Sequence, residues 1–143
     1  MKSKNMKILN IILKIVLSLI LLLPVVGITG LLGEPARDLY NTDAAYAFIQ
    51  MFVDIGYINY MMVVVHIIAL VALWTRREAL AALLIAPITA NVVGFHAFLD
   101  GGLLTSGAVL GNVMLVLNLH FLWLYREQYR SLWEPAPREP ATS

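Results

Sequence analysis

The sequence predicts an all-α membrane protein, a four-transmembrane-helix bundle with a short amphipathic interfacial helix between helices 1 and 2. Three observations carry this. The 143-residue chain is 60% hydrophobic and 13% charged, with a mean hydropathy of +0.79, more apolar surface than a water-soluble core of this size needs. The apolar residues fall into long runs, each near the roughly 20 residues a spanning helix requires, which leaves no length for a soluble domain. The basic residues gather at alternate connections, as the positive-inside rule demands of a multi-pass chain. Residues 1–125 therefore read as a single transmembrane domain, and 126–143 as a charged, Pro-rich cytoplasmic tail.

The first span runs from about residue 8 to 32, behind Lys2, Lys4 and Lys7 and interrupted by Asn10, Lys14 and Pro24. It is longer than the roughly 7–15 apolar residues of a signal peptide and no A-x-A-like site follows it, so it reads as an uncleaved helix. Lys14 lies close enough to the basic end for its stem to snorkel toward the headgroups. A polar turn, Gly33-Glu34-Pro35-Ala36-Arg37-Asp38, follows.

Thr42 or Asn41 can cap a surface helix over 43–55, where Ala44, Phe48, Met51 and Ile55 recur at three- and four-residue steps and Gly56 supplies the stop. Its Asp43, Gln50 and Asp54 keep it at the interface or over the bundle mouth. The second span covers 58–74 and ends in the basic hairpin Thr75-Arg76-Arg77-Glu78; the third covers 79–99 and the fourth 103–124. Asp100-Gly101-Gly102 joins the last two tightly enough to make them antiparallel neighbours. The tail, with Glu134-Pro135-Ala136-Pro137, reads as disordered.

Nine of the ten basic residues fall at or beside one end: Lys2, Lys4, Lys7 and Lys14, the Arg76-Arg77 hairpin, and Arg126, Arg130 and Arg138. Only Arg37 lies opposite, among Glu34, Asp38, Asp43, Asp54 and Asp100. Both termini are accordingly expected in the cytoplasm. The net charge of +1 gives no basic face for nucleic acid. With no cysteine, there are no disulfides, thiolate metal sites or iron–sulfur clusters.

Polar groups inside spans are few and expensive, so each is a candidate site residue. His66, Asn91 and Asn112 fall at one depth when the spans are aligned at about 1.5 Å per residue. They form an expected midplane cluster, either interhelical glue or a ligand, proton or quinone contact. His96 and His120 lie about 20 Å apart in depth by the same count, too far to share a haem. His66 and His120 differ by about 5 Å, a separation open to a b-type haem that no metal-ligand spacing supports.

His96 and Asp100 form an i, i+4 pair at the outer interface, which water, Tyr46 or the surface helix could complete. On the fourth span Gly107 and Gly111 make a small-xxx-small pattern, continued by Asn118, that predicts close helix packing. No Ser, His and Asp arrangement suggests a hydrolase, and no complete catalytic set is visible.

The run Leu83-Leu84-Ile85-Ala86-Pro87-Ile88-Thr89-Ala90-Asn91-Val92-Val93-Gly94-Phe95-His96-Ala97-Phe98-Leu99-Asp100 is followed by Asn118-Leu119-His120-Phe121-Leu122-Trp123-Leu124-Tyr125-Arg126. Together they resemble the C-terminal half of DoxX-like membrane proteins, and the segment from Ala47 to Tyr57 resembles that family's region before its second span. The resemblance implies a small four-helix protein of the bacterial inner membrane, matched directly at Pro87, Asn91 and His96. It implies an association with membrane redox chemistry, since the family takes its name from the membrane subunit of a thiosulfate:quinone oxidoreductase. His66 stands where the family pattern often has a glutamate, so a role tied to that carboxylate does not transfer.

The first functional expectation is thus a non-catalytic accessory or quinone-contacting subunit of a larger membrane redox complex. Its partners would be lipids and other membrane proteins, or further copies of itself. A structural or assembly protein that packs against partner helices through the first span and the glycine side of the fourth is the alternative. A small proton or solute transport unit at the His66, Asn91 and Asn112 level ranks third, because no internal repeat, broken helix pair or acidic relay is visible.

Overall fold

A computed structural model describes residues 2–135. Those residues are all-helical, with no strand among them. Three helices are long and apolar enough to cross a membrane, α1 (Lys2–Gly27), α3 (Tyr57–Trp74) and α4 (Glu78–Phe98). α5 (Val109–Leu124) joins them as a fourth when it is taken with α6 (Arg130–Trp133), across a bend of 71°.

The expected boundaries hold best where a local signal sets them. Thr42 accepts from the Ala45 N–H at 3.0 Å and starts α2 (Asp43–Ile55), and Gly56, at φ 68°, ends it. α3 closes in a Schellman motif. Arg76 sits in the left-handed region at φ 63°, and the Arg77 N–H reaches the Ala72 carbonyl at 2.9 Å.

Two spans differ from their expected limits. α1 stops at Gly27 rather than near 32. Pro24 leaves the Ile20 carbonyl without its helical donor, the Thr29 hydroxyl caps the Val26 carbonyl at 2.6 Å, and Gly30 and Gly33 turn the chain at positive φ. The last span becomes helical at Val109 rather than near 103. Thr105 donates to the Gly102 carbonyl at 3.0 Å and Asn112 to that of Leu103 at 2.7 Å, so side chains of this Gly-, Ser- and Thr-rich stretch hold it as turns.

The tail also departs from expectation. Residues 126–129 form a 3-10 turn and α6 follows, where disorder was expected from 126; residues 136–143 lie outside the described part. Tyr129 donates to the Ala79 carbonyl at 2.8 Å and so folds the segment back on the start of α4, while Tyr125 stacks on Phe121 of its own helix.

α1 packs on α3 and α5, and α4 packs on α3 and α5. The shared core is Leu17 and Leu21, Ala69, Ala72 and Leu73, Ala81, Ala82 and Ile85, and Met114, Leu117 and Phe121. Alanines on the facing sides of α3 and α4 let their backbones approach closely. The outward faces are apolar as well. Leu19, Met61 and Val116 are each over 60% exposed, a pattern that water would penalise and lipid would not.

The packing also fixes which ends lie together. Lys14 pairs with Glu78 across α1 and α4, and the Trp74 indole donates to Ser18 at 2.9 Å. With Tyr129 on Ala79, the lysine-bearing start, the Arg76-Arg77 hairpin and the Arg126–Arg130 segment share one end. It is the basic end of the bundle. The Lys14 ammonium, expected to snorkel, ends on the Glu78 carboxylate.

Candidate functional site

At the opposite end, the last turn of α4 puts His96 and Asp100 on one face. Asp100 is 1% exposed, and a carboxylate so placed must have its oxygens met. One oxygen, Oδ2, lies 3.0 Å from His96 Nδ1. The other, Oδ1, accepts from the Asn41 backbone N–H at 2.8 Å, while the Asn41 side-chain amide donates to the Asp100 carbonyl at 3.1 Å. Thr42, besides capping α2, donates to the Leu99 carbonyl.

Asn41 thus bonds Asp100 directly, and Thr42, the cap of the surface helix, holds the neighbouring Leu99 carbonyl. The sequence signal for them was their capping propensity, which gave no hint of a second, long-range partner. Arg37, the one arginine or lysine at this end among the described residues, is held by Asp43, with Nε to Oδ1 at 2.7 Å. Gly101 and Gly107 are needed for the close fit. A Cβ at Gly101 would stand 3.3 Å from Asn41 Cβ, and one at Gly107 would stand 3.3 Å from Asp100 Oδ2. Burial, and then the Asp100 charge, push the Tyr40 hydroxyl above its usual range.

This arrangement orients His96. With Nδ1–H given to Asp100, the ring presents Nε2 toward α5, where a Cβ on Gly111 would lie 3.9 Å from it. Such a dyad can position a proton or a hydrogen-bonded group, and it also latches the 28–42 connection onto the α4–α5 turn.

Beside the latch, α2, α3 and α4 enclose an open groove of about 630 Å³. Phe48, Phe52, Met61, Ile88 and Phe95 give it apolar walls, and α4 contributes the polar side chain of Asn91. Phe48 and Phe95 meet at 5.7 Å between ring centroids, and Tyr40 packs edge-on to Phe95, so groove and latch share a wall. The Asn91 side chain is exposed to the groove. Its amide gives one N–H to the Pro87 carbonyl at 2.8 Å, which leaves its oxygen and second N–H for an occupant.

The other expected site residues are placed apart. His66, 3% exposed, has Nδ1 on the Met62 carbonyl at 2.7 Å, and Asn112 is held by Leu103. His66, Asn91 and Asn112 thus each bond a nearby backbone carbonyl, and no hydrogen bond joins them among the described residues. His120 lies at the basic end in a smaller groove with Lys7 and Asn10. No group of three His, Asp or Glu that could hold a metal occurs among the described residues.

Gly111 and Asn118 lie in the α4–α5 seam. A Cβ on Gly111 would stand 3.0 Å from Val92, and Asn118 donates to the Ala82 carbonyl at 2.8 Å. The glycine side of α5 is thus covered by α4 of the same chain. No protein-family model, curated protein or solved structure matches this chain.

Proposed function

We propose that this chain is a DoxX-like protein of the bacterial inner membrane, with four spans and both termini in the cytoplasm, that serves as an accessory, quinone-contacting subunit of a larger membrane redox complex. The observation that carries this reading is Asn91, a mid-helix amide exposed inside an apolar, aromatic-walled groove. A free amide facing hydrocarbon is unfavourable. A quinone suits the site: its flat ring stacks against Phe48 or Phe95, its carbonyl accepts from the second Asn91 N–H, and its isoprenoid tail leaves through the open side. The clustering of Lys4, Lys7, Arg76, Arg77, Arg126 and Arg130 at one end supports the orientation.

The test is purification in mild detergent followed by extraction and mass spectrometry for quinone. Wild-type protein should carry it, and Asn91→Leu should reduce occupancy about fivefold, the equivalent of one hydrogen bond. A quinone-free wild type, whose deletion leaves respiratory electron transfer unimpaired, would count against the proposal.

The assembly reading retains one specific support. Ile8, Ile11, Ile12, Ile15 and Leu19 leave one side of α1 apolar and exposed, a surface suited to a partner helix as much as to lipid. The covered glycine side of α5 offers it nothing further.

A further inference from the structure

At the basic end, the first turns of α1 and the last turns of α5 flank a second groove, of about 300 Å³, lined by Met6, Lys7, Leu9, Asn10, His120 and Leu124. Lys7 and Asn10 are three residues apart and so share a helix face. His120 lies one turn inside the end of α5 at Leu124. The groove therefore combines one fixed charge, an amide and an imidazole at the depth where hydrocarbon gives way to headgroups. Met6, Leu9 and Leu124 supply apolar walls beside them.

One atom here is out of place in a protein that is otherwise well satisfied. The Asn10 side-chain oxygen is buried and has no hydrogen-bond donor, the one such side-chain atom among the described residues. A buried acceptor without a donor is a standing penalty, and a donor brought by a ligand removes it.

We infer that this groove holds the headgroup of an anionic phospholipid that carries a hydroxyl, of which phosphatidylglycerol is the simplest. The phosphate diester pairs with the Lys7 ammonium, a headgroup hydroxyl donates to Asn10 Oδ1, and the His120 ring offers a further donor or acceptor according to its tautomer. The acyl chains run down the Met6, Leu9 and Leu124 walls. Charge complementarity sets the choice of occupant. A phosphatidylethanolamine ammonium would face Lys7 with like charge, and phosphatidylcholine has no donor for Asn10. This site is separate from the quinone groove, and either can be occupied without the other.

The full chain, reconstituted in vesicles of equal parts phosphatidylglycerol, phosphatidylethanolamine and phosphatidylcholine and then extracted in mild detergent, tests the inference by mass spectrometry of the lipid that stays bound. Phosphatidylglycerol should be enriched over both others. Lys7→Gln should lower its retention about fivefold, the worth of one lysine at a membrane surface, Asn10→Leu should lower it similarly, and Lys7→Arg should preserve it. Circular dichroism of each variant separates lost lipid from lost fold, and the Lys7 pair carries the test if Asn10→Leu misfolds. Excess sn-glycerol 3-phosphate should leave the bound lipid in place; displacement would show a soluble phosphate ester site instead. Equal retention of the three lipids, or retention indifferent to Lys7→Gln, overturns the inference.

Discussion

Replacing Asp100 with alanine should be among the most damaging single changes at the acidic end, and its size follows from the donors it strands. Two N–H groups end on the carboxylate, Asn41 N at 2.8 Å and His96 Nδ1 at 3.0 Å. Each buried donor left unmet costs roughly 1–3 kcal/mol. Because Asp100 is 1% exposed, water reaches the vacated site only after local opening, and about 3 kcal/mol of destabilisation is expected in total. Asp100→Asn keeps one acceptor and lets the imidazole change tautomer, so about 1 kcal/mol is expected there. Titration of detergent-solubilised protein from mild detergent into SDS, followed by tryptophan fluorescence, measures both. A double-mutant cycle with His96→Ala isolates the pair and should give a coupling of about 1–2 kcal/mol. Limited proteolysis supplies the local readout, since losing the latch should expose the chain between Gly33 and Tyr40 to cleavage. If Asp100→Ala, Asp100→Asn and His96→Ala are all within about 0.5 kcal/mol of wild type, the latch does not hold this end and the reasoning fails.

Four other outcomes are expected. Glu78→Met and Lys14→Met should each destabilise, whereas the double replacement should recover most of the loss in the same SDS titration, because a half-buried ion pair is worth less than the charge stranded by breaking it. Gly111→Leu should be poorly tolerated, since even a Cβ stands 3.0 Å from Val92; a wild-type unfolding midpoint would refute that placement. Tyr129→Phe should lose about 1 kcal/mol and release the segment around α6 to protease, as its hydroxyl is tied to Ala79. The Tyr40 hydroxyl titrates above its ordinary value in the fold, so the folded state holds the proton more tightly than the unfolded chain. Its contribution is intact below about pH 10 and is lost as pH rises beyond that value, and Tyr40→Phe should flatten that alkaline loss in a pH series of unfolding midpoints.

What was legible in the sequence was what short-range chemistry decides. Thr42 and Gly56 bound α2 because a cap and a left-handed stop act within one turn, and the runs at 57–74 and 78–98 are helical because nothing inside them offers the backbone an alternative except Pro87. The 103–108 stretch departs from the helix its hydropathy predicts for the opposite reason. Leu103 and Leu104 extend the apolar run, but Gly102, Thr105 and Asn112 supply side-chain and turn contacts that compete with the helix. The charge of the tail from 126 predicts disorder and hides one aromatic tether, Tyr129 on Ala79. At the site, the His96–Asp100 spacing was readable at i, i+4, whereas the partnership with Asn41 spans 59 residues and no local pattern encodes it. Aligning depths placed His66, Asn91 and Asn112 at one level. Depth says nothing of the direction each side chain takes around its helix, and in the fold each turns to a carbonyl close by.

That division of hydrogen bonds has a consequence for how a ligand site can be separated from the fold. Toward the two ends, polar side chains bridge elements, as with Asp100 to Asn41, Lys14 to Glu78 and Tyr129 to Ala79, and Asn118 of α5 reaches across to the Ala82 carbonyl of α4. His66, Thr89 and Asn91 bond only to their own helices, and around them the helices meet through apolar packing of small and aliphatic residues. A change at the ends should therefore alter stability whatever the groove contains. Asn91→Leu removes a bond within α4 from an exposed side chain and should shift the unfolding midpoint by no more than about 0.5 kcal/mol equivalent while lowering quinone occupancy about fivefold. An Asn91→Leu protein that unfolds as easily as Asp100→Ala would mean that the amide braces the helices, and the groove would lose its claim to a ligand.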